Sequence, residues 1–144
     1  MQLVAAARMR KAQEDILAAR PYAEKLDSIL RRLSGSVDTT RNPMFAERPV
    51  ERVAIALITS DRGLCGGFNS SACRRVATEK SQLEGAGLSL VAIGRKGRNF
   101  LANRDYNVVA DYIDVFRDLT FSSAMTIAGD LSNRFTSGEG DRVV

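Results

Sequence analysis

The spacing of apolar residues divides this chain into a periodic first quarter and a remainder built of short, unbroken runs. In residues 2–33 the positions Met9, Ala12, Ile16, Ala19, Ala23, Leu26, Leu30 and Leu33 recur at alternating steps of three and four. That heptad seam predicts one long helix, ended by Ser34-Gly35-Ser36. At about 1.5 Å per residue the rod is on the order of 45–50 Å long, more than a domain of this size can cover. Pro21 is discordant, because it lacks a donor and its ring meets the carbonyl four residues back. A kink or local unwinding is expected near Ala18, with the helix resuming because the seam keeps its register. The seam needs a partner, and no second helix of comparable length follows. A homodimeric coiled coil, a helix lying back on its own domain and a partner strand outside this stretch of chain all satisfy the pattern.

Residues 35–52 carry two prolines, mixed charge and no period, and read as a connector. Val53 to Ile58 is continuously apolar, as a parallel strand buried on both faces requires. A glycine-rich turn follows, then a helix over about Ser70–Glu84 with Asn69 or Ser70 as N-cap and Cys73, Val76, Ala77 and Leu83 facing inward. Gly85-Ala86-Gly87 closes it. Leu88–Ile93 is a second buried strand, Gly94-Arg95-Lys96-Gly97 opens a short helix through Phe100 and Leu101, and Asn107–Ala110 is a third strand. From about Thr120 a helix places Phe121, Ala124, Met125, Ala128, Leu131 and Phe135 on one face, and Arg142-Val143-Val144 begins a fourth strand. Strands alternating with helices predict an α/β fold with a parallel sheet. The divisions are a helix over 1–34, a connector over 35–52 and a sheet domain over 53–144. The βαβα series breaks off where another strand is due, which predicts a fragment of a longer polypeptide, truncated at its C-terminal end.

Composition narrows the function classes. At 44% hydrophobic and 26% charged the chain is ordinary for a globular domain, and no run approaches the ~18 apolar residues of a membrane span. The first basic residues follow a short apolar patch instead of preceding a long one, the wrong order for a secretory signal. Cys65 and Cys73 are neither a disulfide framework nor a zinc spacing, which suggests a reducing, cytoplasmic-side setting. With no histidine, the Ser-His and Cys-His arrangements and the commonest metal ligand are excluded. The net charge of +4 is uneven: residues 1–33 carry seven Lys or Arg against four Asp or Glu, whereas residues 34–144 carry fourteen against thirteen.

Several stretches could carry chemistry. The Gly63-x-x-Gly66-Gly67 turn lies between a strand and a helix N-terminus, a common place for phosphate, yet its spacing matches neither G-x-G-x-x-G nor G-x-x-x-x-G-K-[ST]. Glycines supplying positive φ and close packing account for it better. Asp61 and Arg62 at the carboxyl end of the first strand read as a turn stabiliser or surface ion pair. Gly94-Arg95-Lys96-Gly97-Arg98 could grip a nucleic-acid backbone, but the surrounding domain is neutral and the aromatics Phe68, Phe100, Tyr106 and Tyr112 are scattered, so no nucleic-acid partner is expected. Cys65 beside a helix N-terminus could be nucleophilic, but it has no base and reads as a packed thiol. Arg8, Arg10 and Lys11 form a solvated helix face or a contact for an acidic partner surface. None of these patterns calls for a catalytic residue, a cofactor or a metal.

The turn D-R-G-L-C-G-G-F-N, formed by Asp61, Arg62, Gly63, Leu64, Cys65, Gly66, Gly67, Phe68 and Asn69, resembles the signature of the gamma subunit of F-type ATP synthases. M-Q-L-V-A-A-A-R-M-R-K-A-Q at the start, A-A-R-P-Y-A-E-K-L from Ala18 to Leu26 and A-I-G-R-K-G from Ala92 to Gly97 are similar to further blocks of that family, in its order. The resemblance implies a long coiled-coil helix followed by a partial Rossmann-like domain. It implies that the helix pairs with the C-terminal helix of its own full-length chain, as a rotor shaft inside a ring of alpha and beta subunits. The globular domain would rest against the epsilon subunit and the c-subunit ring, on the cytoplasmic face of a bacterial plasma membrane. The subunit itself would be non-catalytic and would couple proton flow to ATP synthesis or hydrolysis. On the same pattern Met1, Arg8, Arg10 and Lys11 would contact the stator. The alternative is a small α/β phosphate- or nucleotide-binding enzyme dimerised by its long helix.

Overall fold

In the computed structural model the described residues are 2–34, 42–83, 85–117 and 119–144. The chain divides into two compact units, residues 1–45 and 46–144. The first holds helix α1, Gln2–Ser34, and a short 3-10 turn, Pro43–Phe45. Helical structure runs through Pro21 without interruption, so the expected unwinding does not occur. The proline removes a single backbone bond, and on a helix whose side chains from Leu3 to Leu33 are all exposed, water can satisfy the freed carbonyl. The heptad seam is exposed too, with Met9 63%, Ile16 60% and Leu30 51% accessible. An isolated helix gains little of its stability from propensity and most from packing of its apolar face, so this stripe is surface that favours a partner.

The second unit is a four-stranded parallel sheet. Strand β1 (Arg52–Ile58) leads through the signature turn into α2 (Phe68–Gln82), then β2 (Gly87–Ile93), α3 (Arg95–Ala102), β3 (Val108–Tyr112), α4 (Phe121–Thr136) and β4 (Arg142–Val143). The order across the sheet is β3-β2-β1-β4, so the chain steps outward from β1 twice and then returns to its other side. β1 pairs with β2 along its whole length, Arg52 opposite Gly87 through Ile58 opposite Ile93. Continuous apolar runs on these two strands follow from that central position: Val53, Ala54, Ile55, Leu57, Leu90, Val91, Ala92 and Ile93 are all buried. Cys73 and Val76 of α2 and Leu101 of α3 complete the core against Val53, Ile55, Leu57, Leu90 and Ala92. Full burial of each such aliphatic side chain contributes about 1.5–3 kcal/mol.

Several boundaries differ from the sequence reading. α2 starts two residues earlier, with Gly67 as N-cap and no side-chain cap, because the Asn69 side chain is engaged elsewhere. Ala77 is exposed, not inward. β3 lies over Val108–Tyr112, and its alternating burial marks it as a sheet-edge strand. α4 begins as expected after Thr120, whose hydroxyl oxygen accepts the Ser123 N–H at 3.1 Å. Only the second half of its expected apolar face packs, however. Phe121, Ala124, Met125 and Ala128 are exposed, while Ile127, Leu131, Arg134 and Phe135 are half-buried. Arg134 is drawn to that inner side by Asp130 and Glu139, both 3.1 Å away.

Close approach of backbones, expected at the signature glycines, occurs instead at Gly94 and Gly97. Gly94 has φ +100°, and a Cβ there would lie 2.0 Å from the Thr59 carbonyl oxygen. A Cβ on Gly97 would lie 2.8 Å from the Thr59 hydroxyl. Thr59, 1% exposed, receives the Gly97 N–H on that hydroxyl at 2.7 Å and directs its own proton toward the Ile93 and Gly94 carbonyls. Gly66 also has positive φ, +58°, but nothing lies within 4 Å of where its Cβ would stand. Gly94→Ala is therefore expected to cost roughly 4 kcal/mol or to prevent folding, and Gly66→Ala only about 1 kcal/mol, in chemical denaturation of the two variants.

Candidate functional site

The strand order reverses at β1, and the carboxyl end of such a strand is where open α/β sheets place their sites. All nine signature residues, Asp61 to Asn69, lie there. The turn is held at both ends by side chains. Asp61 Oδ1 accepts the Arg95 N–H at 2.9 Å and the Asp114 N–H at 3.0 Å, tying the ends of β1, β2 and β3 together. The Arg95 guanidinium closes on the Asp114 carboxylate beside it. Asn69 reaches back from the first turn of α2: its Oδ1 accepts the Ser60 N–H at 3.0 Å, and its Nδ2 donates to Ser60 Oγ and Cys65 Sγ, both at 2.9 Å. Asp61 is thus a turn stabiliser of longer reach than the sequence suggested, and Asn69 staples the turn instead of capping the helix.

Between those anchors the turn points outward. Leu64 is fully exposed in the left-handed region, φ 62°, which costs a branched side chain of order 1 kcal/mol. Phe68 is 53% exposed. Arg62 and the three glycines are exposed as well, with the Lys96 side chain lying over Gly63. Cys65 is half-buried against Asn69, and Cys73 is buried; both are free thiols. Burial pushes the Cys73 thiol above its ordinary range, although the charge of Arg104 opposes this. Among the described residues no group of three or more His, Cys, Asp or Glu side chains could hold a metal ion. A cavity of about 260 Å³ opens between β1 and α2, bounded by Ile55, Leu57, Ala72, Val76 and Val144. Its charged lining residues, Arg75 and Glu79, are paired with each other at 2.6 Å.

The other expected contacts are dispersed. Arg8, Arg10 and Lys11 are exposed on α1, where Arg10 pairs with Glu14 at 3.2 Å, a solvated ion pair worth a fraction of a kcal/mol. Met1 lies outside the described residues. In the Gly94–Arg98 stretch, Arg95 pairs with Asp114 and Arg98 with Asp111, so two of its three cations are partly neutralised.

A second polar node was not anticipated. Asp141, at the entry to β4, is buried, and its Oδ2 accepts the N–H groups of Arg52 at 2.9 Å and Glu51 at 3.2 Å. Arg48 and Arg52 both lie 3.4 Å from its Oδ1. Burial would raise this carboxyl, but hydrogen bonds from the Arg52 backbone and side chain and from the Glu51 backbone, with the Arg52 charge, hold it below its ordinary value. The sequence hint was an isolated acid before a strand, which is too common a pattern to single out.

Two measurements check this geometry. A maleimide should modify Cys65 in the native protein and Cys73 only after unfolding, as read by mass spectrometry of peptides. Because the folded pKa of Asp141 is depressed, its stabilisation is complete above the ordinary aspartate value of about 3.9 and lost as pH falls through the lower folded value. Asp141→Asn should therefore be less stable than the parent at pH 7, and the gap should close in strong acid.

A family model described as ATP synthase matches residues 1–144. ATP synthase gamma chains of Chlorobium luteolum, Aquifex aeolicus and Pelotomaculum thermopropionicum are 46%, 43% and 42% identical to this chain, over 100%, 99% and 99% of its length. The chain spans about half the length of these curated relatives, 52%, 50% and 50% respectively. The central stalk and c-ring structure of the Tetrahymena thermophila mitochondrial ATP synthase overlaps 83% of this chain and 56% of that one, with TM-score 0.48 and 24% identity. The expectation of a small dimeric nucleotide-binding enzyme gains nothing from these relatives. By the match along its entire length, the chain belongs to the gamma-chain family of ATP synthases.

Proposed function

We propose that this chain works as the rotor stalk of an ATP synthase. In this reading α1 is one strand of an antiparallel coiled coil whose other strand is the C-terminal helix of the full-length gamma chain. The observation that carries the reading is the exposed heptad seam of a 33-residue helix, in a chain that matches the gamma family from end to end. Such a seam gains stability only when a second helix supplies the facing knobs and holes. A stalk of this kind performs no chemistry. It turns inside the alpha and beta subunits while its sheet domain sits against the epsilon subunit and the c-subunit ring, on the cytoplasmic face of a bacterial plasma membrane, and so couples proton flow to ATP turnover.

The basic residues Arg8, Arg10 and Lys11 are placed for stator contact on this reading, since they lie on an exposed face of the shaft. The signature turn, with Leu64 and Phe68 outward, is a fixed protein surface and not a phosphate cradle. Two features support this: the glycine spacing lacks the P-loop lysine and hydroxyl, and the side chains of Asp61 and Asn69 already satisfy the local backbone.

Affinity capture of the full-length native chain tests the proposal. Alpha, beta and epsilon subunits should copurify in fixed ratio, and recovery of the chain without them would sink it. Reversing Arg8, Arg10 and Lys11 to Glu together should slow ATP-driven rotation severalfold, which corresponds to a change of about 1 kcal/mol in the barrier. Saturable nucleotide binding at Gly63–Gly67, abolished by a bulky substitution at Gly66, would favour an enzyme instead.

A further inference from the structure

We infer that Arg48 is a positioning residue: it clamps the segment leading into β1 onto the sheet domain, and in the assembled rotor the load between shaft and domain passes through this clamp. The second half of the inference rests on the rotor reading; the first does not.

Residues 46–51 have no regular secondary structure, and Ala46 begins the second compact unit. Such a segment would be free to swing unless side chains held it. Arg48 makes that attachment through its guanidinium. Its Nη2 donates to the Phe135 carbonyl and, at 3.3 Å, to the Gly140 carbonyl, at the C-terminal end of α4 and the turn beyond. Its plane covers the Phe135 ring, 4.5 Å from the centroid. Its Nε is buried without a hydrogen bond and faces Asp141 Oδ1 at 3.4 Å. A cation on the last carbonyls of a helix is stabilised by the helix dipole as well as by the bonds themselves.

Asp141 completes the clamp from the other side. It holds the backbone of Glu51 and Arg52 at the entry to β1, some ninety residues away in sequence. The Glu51 carbonyl in turn accepts the Gly87 N–H at 2.8 Å, at the foot of β2. The segment is therefore fastened to the end of α4 and the entry to β4 by one half-buried guanidinium and one buried carboxylate, and to β2 by a backbone hydrogen bond. A planar fork that bonds two carbonyls, stacks on a ring and faces a carboxylate is not replaceable by lysine, whose ammonium is a point charge.

The test uses the full-length gamma chain carrying Arg48→Met, assembled with its ATP synthase subunits in proteoliposomes. Hydrogen exchange should be about tenfold faster across residues 46–52 than in the parent, with the amides of residues 88–93 unchanged. Protons pumped per ATP hydrolysed should fall about twofold or more, while the hydrolysis rate per assembled complex is retained. Arg48→Lys keeps the charge toward Asp141 and should give intermediate values of both. Unchanged exchange over 46–52 would overturn the clamp, whatever the shaft does. Faster exchange with an unchanged pumping ratio would overturn its part in passing load, as would proportional loss of hydrolysis and pumping. A parent chain that neither assembles nor pumps would remove the rotor reading and the load with it, leaving the exchange result to decide the clamp.

Discussion

The sheet domain depends on one buried hydroxyl. Thr59 ends the apolar run of β1 inside the protein, where an unpaired oxygen would cost about 1–3 kcal/mol. It is satisfied by the Ile93 and Gly94 carbonyls and by the Gly97 N–H, which reaches it because two glycines let the start of α3 come within bonding distance. That contact adds to the Thr59 N–H bond to the Ile93 carbonyl at the ends of β1 and β2, beside Asp61, which receives the Arg95 and Asp114 N–H groups. The signature turn is built outward from this point. Its exposed Leu64 can stay in the left-handed region because Asp61 on one side and Asn69 on the other fix the chain before and after it.

At the opposite end of the same strand a charged node does the corresponding work. Asp141 and Arg48 fasten the entry to β1 against the end of α4 and the start of β4. β1 is thus pinned at its amino end by an ion pair with backbone hydrogen bonds, and at its carboxyl end by a neutral hydroxyl. Between the pins it pairs with β2 over seven residues, and with β4 over two.

α1 follows different physics. Its side chains from Leu3 to Leu33 are exposed, so its register comes from heptad spacing, and Pro21 is accommodated without a break. α4 resembles it in part, with Phe121 and Met125 exposed while Leu131 and Phe135 turn inward. The sheet side of α4 was chosen by polar groups: Arg134 sits between Asp130 and Glu139, and Arg48 covers Phe135. The apolar stripe therefore marked inward residues only in the second half of the helix.

By itself the sequence determined the element order, the parallel α/β class and the long helix, and it carried the family resemblance. The first three follow from local spacing, a three-four heptad and unbroken apolar runs such as Val53–Ile58, whereas the family rests on the likeness of the nine-residue turn and its companion blocks to a known family. Only the tertiary structure decided which glycines are packed, that Asn69 staples instead of caps, and that Arg48 meets Asp141. The glycine packing and the Arg48 contact depend on residues 34 to 93 positions apart being brought within a few ångströms, as in Thr59 with Ile93 or Arg48 with Asp141, while the Asn69 staple closes over nine residues. Glycine at 63, 66, 67, 94 and 97 looks the same in one dimension; only the strand passing beside Gly94 and Gly97 makes a Cβ impossible there.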